Sequence, residues 1–417
     1  MIPKLDHYKK KWDVHSDVSI KPGLTAITEA LKLVGNPQDK LSVIHVAGTN
    51  GKGSTITFIE HICQAHGLST ATFMSPCIED VHDQIKLNEQ PITPAEMDEV
   101  FHIMADAGLD DKLTDFELLT VAAFLAFERF APDIAIIECG MGGRFDSTNV
   151  VMPIVSVVPS IALEHTNFLG TTIESIAMHK SGIIKEGKPV VTGALPVEAM
   201  TVFTTEAEKL RSVLLVCNED FNVLEENTTE TYIAEDIRII GLIRTMPGLH
   251  QRSNMALAIT AFNIVAQEKG INMNVEALRN GVEDAQLAGR FEQLAPQLYV
   301  DGAHNPASAK SLVETIHEKF PNEPIHFIVG MLGDKDVQGV LEELEKVGTT
   351  FTFVDVANER AMDAKELSEI SKAENKSTTY DILTTVKERM LLNEVIIMTG
   401  SLYLLAKWRK KLKETLK

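Results

Sequence analysis

The sequence predicts an α/β protein of two domains, a parallel-sheet domain built on a phosphate-binding loop followed by a smaller α/β domain. Three observations carry this. At 417 residues the chain exceeds what one ordinary core holds and suits two domains of about 100–300 residues each. Short runs rich in β-branched residues alternate with helical stretches, the rhythm of parallel strands joined by crossover helices. A glycine-rich turn, Gly48-Thr49-Asn50-Gly51-Lys52-Gly53-Ser54-Thr55, stands between a buried strand and a helix, the setting that makes a phosphate cradle credible.

In chain order, Leu41 to Ala47 reads as a buried strand and Ser54 to His66 as the helix after it. Ser69 to Met74 is the next strand. Pro94 to Ala107 and Asp115 to Phe130 are helical. Thr93 is the N-cap of the first, with Pro94 at the first helical position, where a missing N–H costs nothing. Asp133 to Cys139 and Ile154 to Val158 are further strands. From Asn222 to Leu242 the rhythm shortens to extended pieces, expected as an antiparallel edge. Helices follow at Gln251 to Lys269 and near Val275 to Ala285. After Gly289 the alternation restarts, with strands at Leu298 to Val300, Ile325 to Val329, Phe351 to Val356 and Glu394 to Met398. The boundary falls near residues 286–292, giving domains of 1–288 and 289–417, without a Pro- or Ser-rich linker to mark it.

Hydrophobic residues make up 44% and charged residues 24% of the chain, the balance of a protein that is globular throughout. No apolar run reaches the ~18 residues of a membrane span, and the N-terminal segment lacks the apolar stretch of a signal peptide. Four cysteines without a CxxC pair predict free thiols in a reducing compartment. A cytoplasmic protein with no membrane partner is therefore expected. The net charge of −20 argues against nucleic acid, whose phosphates need a basic surface. It leaves room for anionic small molecules, which need only a local group of cations and backbone amides.

In the glycine-rich turn, glycines let the backbone approach phosphates, amides at a helix N-terminus supply positive potential, and Lys52 adds a point charge. Its spacing departs from the standard P-loop. Val46 stands five residues before Gly51, and Gly53 separates Lys52 from Ser54; a plain structural turn is the competing reading. Phosphoryl transfer also asks for Mg²⁺, a hard ion that prefers oxygen. Glu138 ends the strand DIAIIE and precedes Gly140-Met141-Gly142-Gly143-Arg144. A carboxylate at the C-terminal end of a parallel strand lies where open α/β sheets bind ligands. Ser75, after the second strand, offers a hydroxyl oxygen. Glu164-His165 and His179-Lys180-Ser181-Gly182 form a second cluster, in which each histidine taken alone reads as a hydrogen-bonded structural residue. Thr114-Asp115-Phe116-Glu117 fits a helix N-cap with an acidic first turn. Arg290 and Asp301-Gly302-Ala303-His304-Asn305-Pro306 flank the strand that opens the second domain, where a simple turn is the competing reading.

Together and in this order, these segments resemble the folylpolyglutamate synthase/dihydrofolate synthase branch of the Mur ligase superfamily. The likeness runs from about Ile20 to Lys407. It is carried by VAGTNGKGST, CGMGGRFDSTNV, EHTNFLGTTIESIA, HKSGIIKEGKPVV, HQRSN, DGAHNP and TGSLYLLA. The resemblance implies an N-terminal P-loop ATPase domain and a smaller, Rossmann-like C-terminal domain with the active site between them. It implies a two-step reaction: ATP phosphorylates the carboxylate of a folate or dihydropteroate, and the amine of L-glutamate then displaces phosphate. It assigns Gly48, Thr49, Asn50, Gly51, Lys52, Gly53, Ser54 and Thr55 to the ATP phosphates. Ser75 and Glu138 are assigned to one Mg²⁺, His165 and a carbamylated Lys180 to a second, with Lys52, His165 and Lys180 catalytic. Asn254, Arg290 and Asp301 go to the nucleotide, His304 to substrate in the interdomain site, and Phe116, Glu117 and Asp146 to the pterin-side substrate.

The sequence also departs from the family pattern. Cys77 replaces an aromatic residue or histidine after Ser-Pro. His82-Asp83-Gln84-Ile85 replaces Asn-Glu-Arg-Ile, losing an arginine. His179-Lys180-Ser181-Gly182 replaces Glu-Lys-Ala-Gly, and Ala288 a proline. The ATP and metal core is kept, and the drift from Cys77 to Lys86 bears on substrate identity. Two rival readings remain: a Mur-type ligase with a peptidoglycan-precursor acceptor, and a non-catalytic folate or nucleotide binder. The first lacks room for a nucleotide-sugar domain ahead of residue 48. The second predicts decay at Lys52, Glu138, His165 or Lys180, and all four are present.

Overall fold

The computed structural model describes residues 2, 4–17, 23–77, 79–109, 113–226 and 228–416. Ile20, where the likeness begins, and Ile78, inside the divergent loop, lie outside them. The chain forms two compact units, one of residues 1–245 with 252–285, the other of 246–251 with 286–417.

The first unit is built on an eight-stranded sheet. Its spatial order is Gln90–Pro91, Ile85–Leu87, Thr70–Phe73, Ile134–Glu138, Val43–Val46, Val155–Val158, Val190–Thr192, Leu214–Val216. The first two are antiparallel additions at one edge, and the other six run parallel. Val43–Val46 and Ile134–Glu138 are buried at every residue, as expected of strands covered by helices on both faces. Asp115–Phe130 is the central covering helix, buried from Glu117 to Phe127. Its side chains fill a core with Phe73, Phe101 and Ile137. Thr93 and Thr114 cap their helices as read, each in a capping box with a glutamate three residues on.

Residues 222–242 are not an edge of this sheet. Phe221–Glu226, Thr229–Ala234 and Ile237–Leu242 form a separate three-stranded antiparallel sheet. Two-residue connections fold each strand onto its neighbour, so the three satisfy one another's backbone. Tyr232 Oη, 2.9 Å from Thr260 Oγ1, fixes one buried face. Glu230 fixes the other end, bound by Arg244 at 2.6 and 2.7 Å and by Arg252 at 2.8 Å.

The second unit holds a six-stranded sheet in the order Glu292–Ala295, Leu298–Val300, Val395–Thr399, Ile325–Val329, Thr350–Phe353, Lys376–Thr378. All are parallel except the first, a hairpin edge. Alternation along Val395–Thr399 feeds two cores. Val395 and Ile397 pack with Phe327 and Leu312, and Ile396 and Met398 with Val300 and Leu404. The strands absent from the sequence reading are the short or exposed ones. Val190–Thr192 and Leu214–Val216 have three residues each, and Lys376–Thr378 is exposed throughout, so none carries a periodic signal. Among the described residues no helix is long and apolar enough to cross a membrane.

Candidate active site

Val43–Val46 lies where the strand order reverses, with Ile134–Glu138 on one side and Val155–Val158 on the other. A loop leaving the C-terminal end of that strand enters the crevice where such sheets bind ligands. The segment after Val158 holds it there. Thr49 N donates to Ser160 O (2.8 Å), Asn50 N to Ser160 Oγ (3.0 Å) and Ser160 Oγ back to Asn50 O (2.9 Å). Thr49 Oγ1 donates to Ala162 O (3.1 Å) and accepts from Ala162 N (3.0 Å). Gly51 has φ 86°, and a Cβ there would meet Asn254 Oδ1 at 2.5 Å and Pro159 at 3.0 Å. Only glycine fits that turn, and Asn254 stands beside the loop. The helix Lys52–Ala65 begins at once, its first turn closed by Thr55 N donating to Gly51 O at 2.9 Å, so the amides of Lys52, Gly53 and Ser54 make a helix N-terminus of the kind that binds anions.

Two lysines and a glutamate converge behind the loop. Gly48 O accepts from Lys180 Nζ at 2.7 Å and from Lys52 Nζ at 3.1 Å. Lys52 also donates to Thr49 O at 3.2 Å and lies 3.7 Å from Glu138 Oε1. Ser75 N donates to Glu138 Oε2 at 3.1 Å. Lys180 is 3% exposed. Burial, with the Lys52 charge second, draws its pKa from 10.5 down to about 8, against an opposing pull from Glu164. The glycine run explains how the Lys180 segment comes so close. A Cβ on Gly143 would meet the carbonyls of His179 and Lys180 at 2.8 and 3.0 Å, and one on Gly140 would strike the Phe116 ring at 2.5 Å.

Other predicted residues have partners of their own. Phe116 stacks on Phe73, centroids 5.6 Å apart. The Glu117 carboxylate closes the capping box, accepting from Thr114 N (2.8 Å) and Oγ1 (2.9 Å). Asp146 is buried and accepts from Met141 N (2.8 Å), Thr148 N (3.0 Å) and Thr148 Oγ1 (2.6 Å). Burial pushes its carboxyl above the usual range, against these bonds. His165 opens a short helix with φ 52°, its Nε2 3.8 Å from Glu164. In the second unit, Asp301 accepts from Phe291 N and Ala303 N at 2.9 Å each. Burial raises its pKa and the Arg290 charge opposes the rise. Arg290 lies against Gly302, whose carbonyl accepts from His304 Nδ1 at 2.8 Å.

Sequence reasoning missed Ser160 and Ala162, which hold the loop; their signal is a position just past the strand next to the phosphate loop. It read Gln84 only as part of the drifted segment from Cys77 to Lys86 that bears on substrate identity. Gln84 is 3% exposed, and its carbonyl accepts from Met74 N at 2.9 Å. The loop is tied further by His82, whose Nε2 lies 2.6 Å from Tyr8 Oη. Among the described residues no three His, Cys, Asp or Glu side chains gather to hold a metal by themselves. The Glu138 carboxylate beside the loop, bound by Ser75 through its amide, is a hard oxygen donor of the kind that suits Mg²⁺ completed by phosphate oxygens.

Comparison with known proteins places the chain in a family. The Mur ligase middle domain matches residues 46–262, and the Mur ligase glutamate ligase domain matches 289–402. The dihydrofolate synthase/folylpolyglutamate synthase of Bacillus subtilis (strain 168) is 38% identical over 416 residues, covering 94% of this chain and 96% of that one. The folylpolyglutamate synthase of Lacticaseibacillus casei is 33% identical and covers 93% of each. Among solved structures, E. coli FolC in complex with DHPP and ADP has a TM-score of 0.90 at 26% identity, over 100% of this chain and 99% of that one. An FPGS–AMPPCP–folate complex gives 0.86 at 31%, over 98% and 99%. The chain belongs to the folylpolyglutamate synthase/dihydrofolate synthase family of Mur ligases.

Proposed function

We propose that this protein is an ATP-dependent ligase that joins L-glutamate to the carboxylate of a folate or dihydropteroate through an acyl phosphate. The observation that carries the reading is the convergence of Lys52 and Lys180 on Gly48 O, beside Glu138 and under a helix N-terminus. The helix amides and Lys52 hold the ATP phosphates. A substrate carboxylate oxygen attacks the γ-phosphorus and ADP leaves, with Lys52 absorbing charge on the transferring group. The glutamate amine then attacks the acyl carbon, loses a proton, and phosphate departs with the oxygen that had joined carbon to phosphorus. Asn254, Arg290 and Asp301 bind the nucleotide. Phe116, Glu117 and Asp146 form the pterin side, and His304 meets substrate.

Mg²⁺ would neutralise charge on the phosphates when bound. Ser75 and Glu138 would hold one ion, and His165 with a carbamylated Lys180 a second. An ammonium is repelled by a dication, whereas the carbamate formed from the neutral amine and CO₂ is an oxygen donor. The lowered pKa of Lys180 supports this, because it leaves a usable fraction of free amine near neutral pH. A cytoplasmic setting suits the free thiols of Cys63, Cys77, Cys139 and Cys217.

The test is ADP release with dihydropteroate, tetrahydrofolate or folate, each with and without glutamate, for wild type and Lys52→Ala. Release that needs both an acceptor and glutamate, and is lost in Lys52→Ala, is expected. Release indifferent to the acceptor would refute the reading.

A further inference from the structure

His45 stands three residues ahead of Gly48 on the strand that leads into the phosphate loop, fully buried, and the chemistry above makes no use of it. Its Nε2 lies 2.9 Å from Thr148 Oγ1 and 3.2 Å from Cys139 Sγ. Thr148 has one hydroxyl proton. It goes to the Asp146 carboxyl oxygen at 2.6 Å rather than to Cys139 Sγ at 3.5 Å, because the oxygen is much closer and sulfur is only a weak acceptor. The threonine oxygen is then left to accept from His45, which fixes the imidazole as the neutral Nε2–H tautomer. Nδ1 is accordingly a buried lone pair with no partner among the described residues. Burial, with the Lys185 charge second, also keeps the ring neutral, holding its pKa down to about 3.

This donor chain ends on a structural hub. Asp146 accepts from Met141 N and so closes the glycine-rich loop that follows Glu138. Arg144 N of the same loop donates to His179 O at 2.6 Å, and Asn149 Nδ2 to Gly182 O at 3.0 Å, on either side of Lys180. We propose that His45 is a positioning residue for the acceptor side of the site. Through Thr148 it orients Asp146, and with it the loop between Glu138 and Lys180. Which substrate feels the change rests on the ligase reading; the hydrogen-bond chain does not.

A glutamine carries an amide N–H close to where Nε2–H stands, and an asparagine is one bond too short. His45→Asn and Thr148→Val should raise KM for the folate-side substrate roughly tenfold, the loss of about one buried hydrogen bond, with KM for ATP within about twofold. His45→Gln and Thr148→Ser should recover most of that loss. The threonine pair serves if a histidine variant does not fold. Equal loss of ATP and acceptor binding, or glutamine no better than asparagine, overturns the proposal. ¹⁵N NMR of histidine-labelled protein, with the His45 signals assigned by their loss in His45→Gln, reads the tautomer without catalysis. The Nε2–H form is expected, and an Nδ1–H or charged ring overturns the proposal. The Nε2–H form in a protein that does not ligate supports the chain and tells against the ligase reading.

Discussion

Lys180→Met is expected to remove activity and, in buffer freed of CO₂ and of divalent ions so that the wild-type side chain is an unmodified amine, to raise stability. Folding lowers the Lys180 pKa from 10.5 to about 8, so carrying the charge into the interior costs roughly 3 kcal/mol at neutral pH. Methionine fills a similar volume without charge. It forfeits the bond from Nζ to Gly48 O, worth about 1 kcal/mol, while that carbonyl keeps Lys52 as a donor. The net gain is about 2 kcal/mol near pH 7. The sign of the pH dependence follows. Between about 8 and 10.5 the unfolded wild type binds more protons than the folded protein, so its stability climbs with pH through that window. Most of the gap to the methionine variant should therefore close by roughly pH 9.5. Urea unfolding at both pH values reads both numbers. A methionine variant less stable than wild type at pH 7, or a gap constant with pH, would refute the argument; retained ligation would remove Lys180 from the machinery.

Glu230→Gln should cost about 3 kcal/mol by removing the carboxylate that pairs with the largely buried Arg244, while Arg252 keeps Glu225. Burial works against the Glu230 carboxylate, but the arginines prevail and hold its pKa below 4.5. The deficit should thus be full above pH 4.5 and shrink as pH falls through the folded value, which acid-range melting curves will show. Glu138→Gln should demand several-fold more Mg²⁺ for half-maximal ligation, since an amide oxygen is a poorer ligand for a hard dication; an unshifted titration would make Glu138 a structural residue. Gly51→Ala should lose about 2 kcal/mol and weaken ATP binding, because φ 86° strains an alanine and its Cβ strikes Asn254. Unchanged nucleotide affinity by calorimetry would separate that turn from the phosphates.

Much of this architecture is legible because its signals are local. Buried strands such as Ile134–Glu138 are continuous apolar runs, and Thr93 and Thr114 announce their helices with a glutamate three residues on. The phosphate loop is legible because Gly51 occupies a backbone conformation and a space that no other residue fits. What escaped depends on partners distant in sequence. Nothing near Ser160 says that it will hold Asn50, 110 residues away. Nothing near Glu117 separates a helix cap from a ligand contact, because the carboxylate suits both. Gln84 read as a substitution for an arginine, and only the fold reveals it buried, its backbone carbonyl accepting from Met74 N. The separate sheet of residues 221–242 was misplaced because a strand's pattern shows its buried face and not which sheet it joins.

The central claim is that a substrate carboxylate is activated by phosphate at the Gly48–Thr55 loop before glutamate attacks. It is tested most directly by ligation with the acceptor's reacting carboxylate labelled in both oxygens with ¹⁸O. An acyl phosphate requires that one labelled oxygen leave with phosphate, so inorganic phosphate carrying one ¹⁸O, formed in step with ADP and with the amide product, is predicted. Unlabelled phosphate, or AMP and pyrophosphate in place of ADP, would contradict the account.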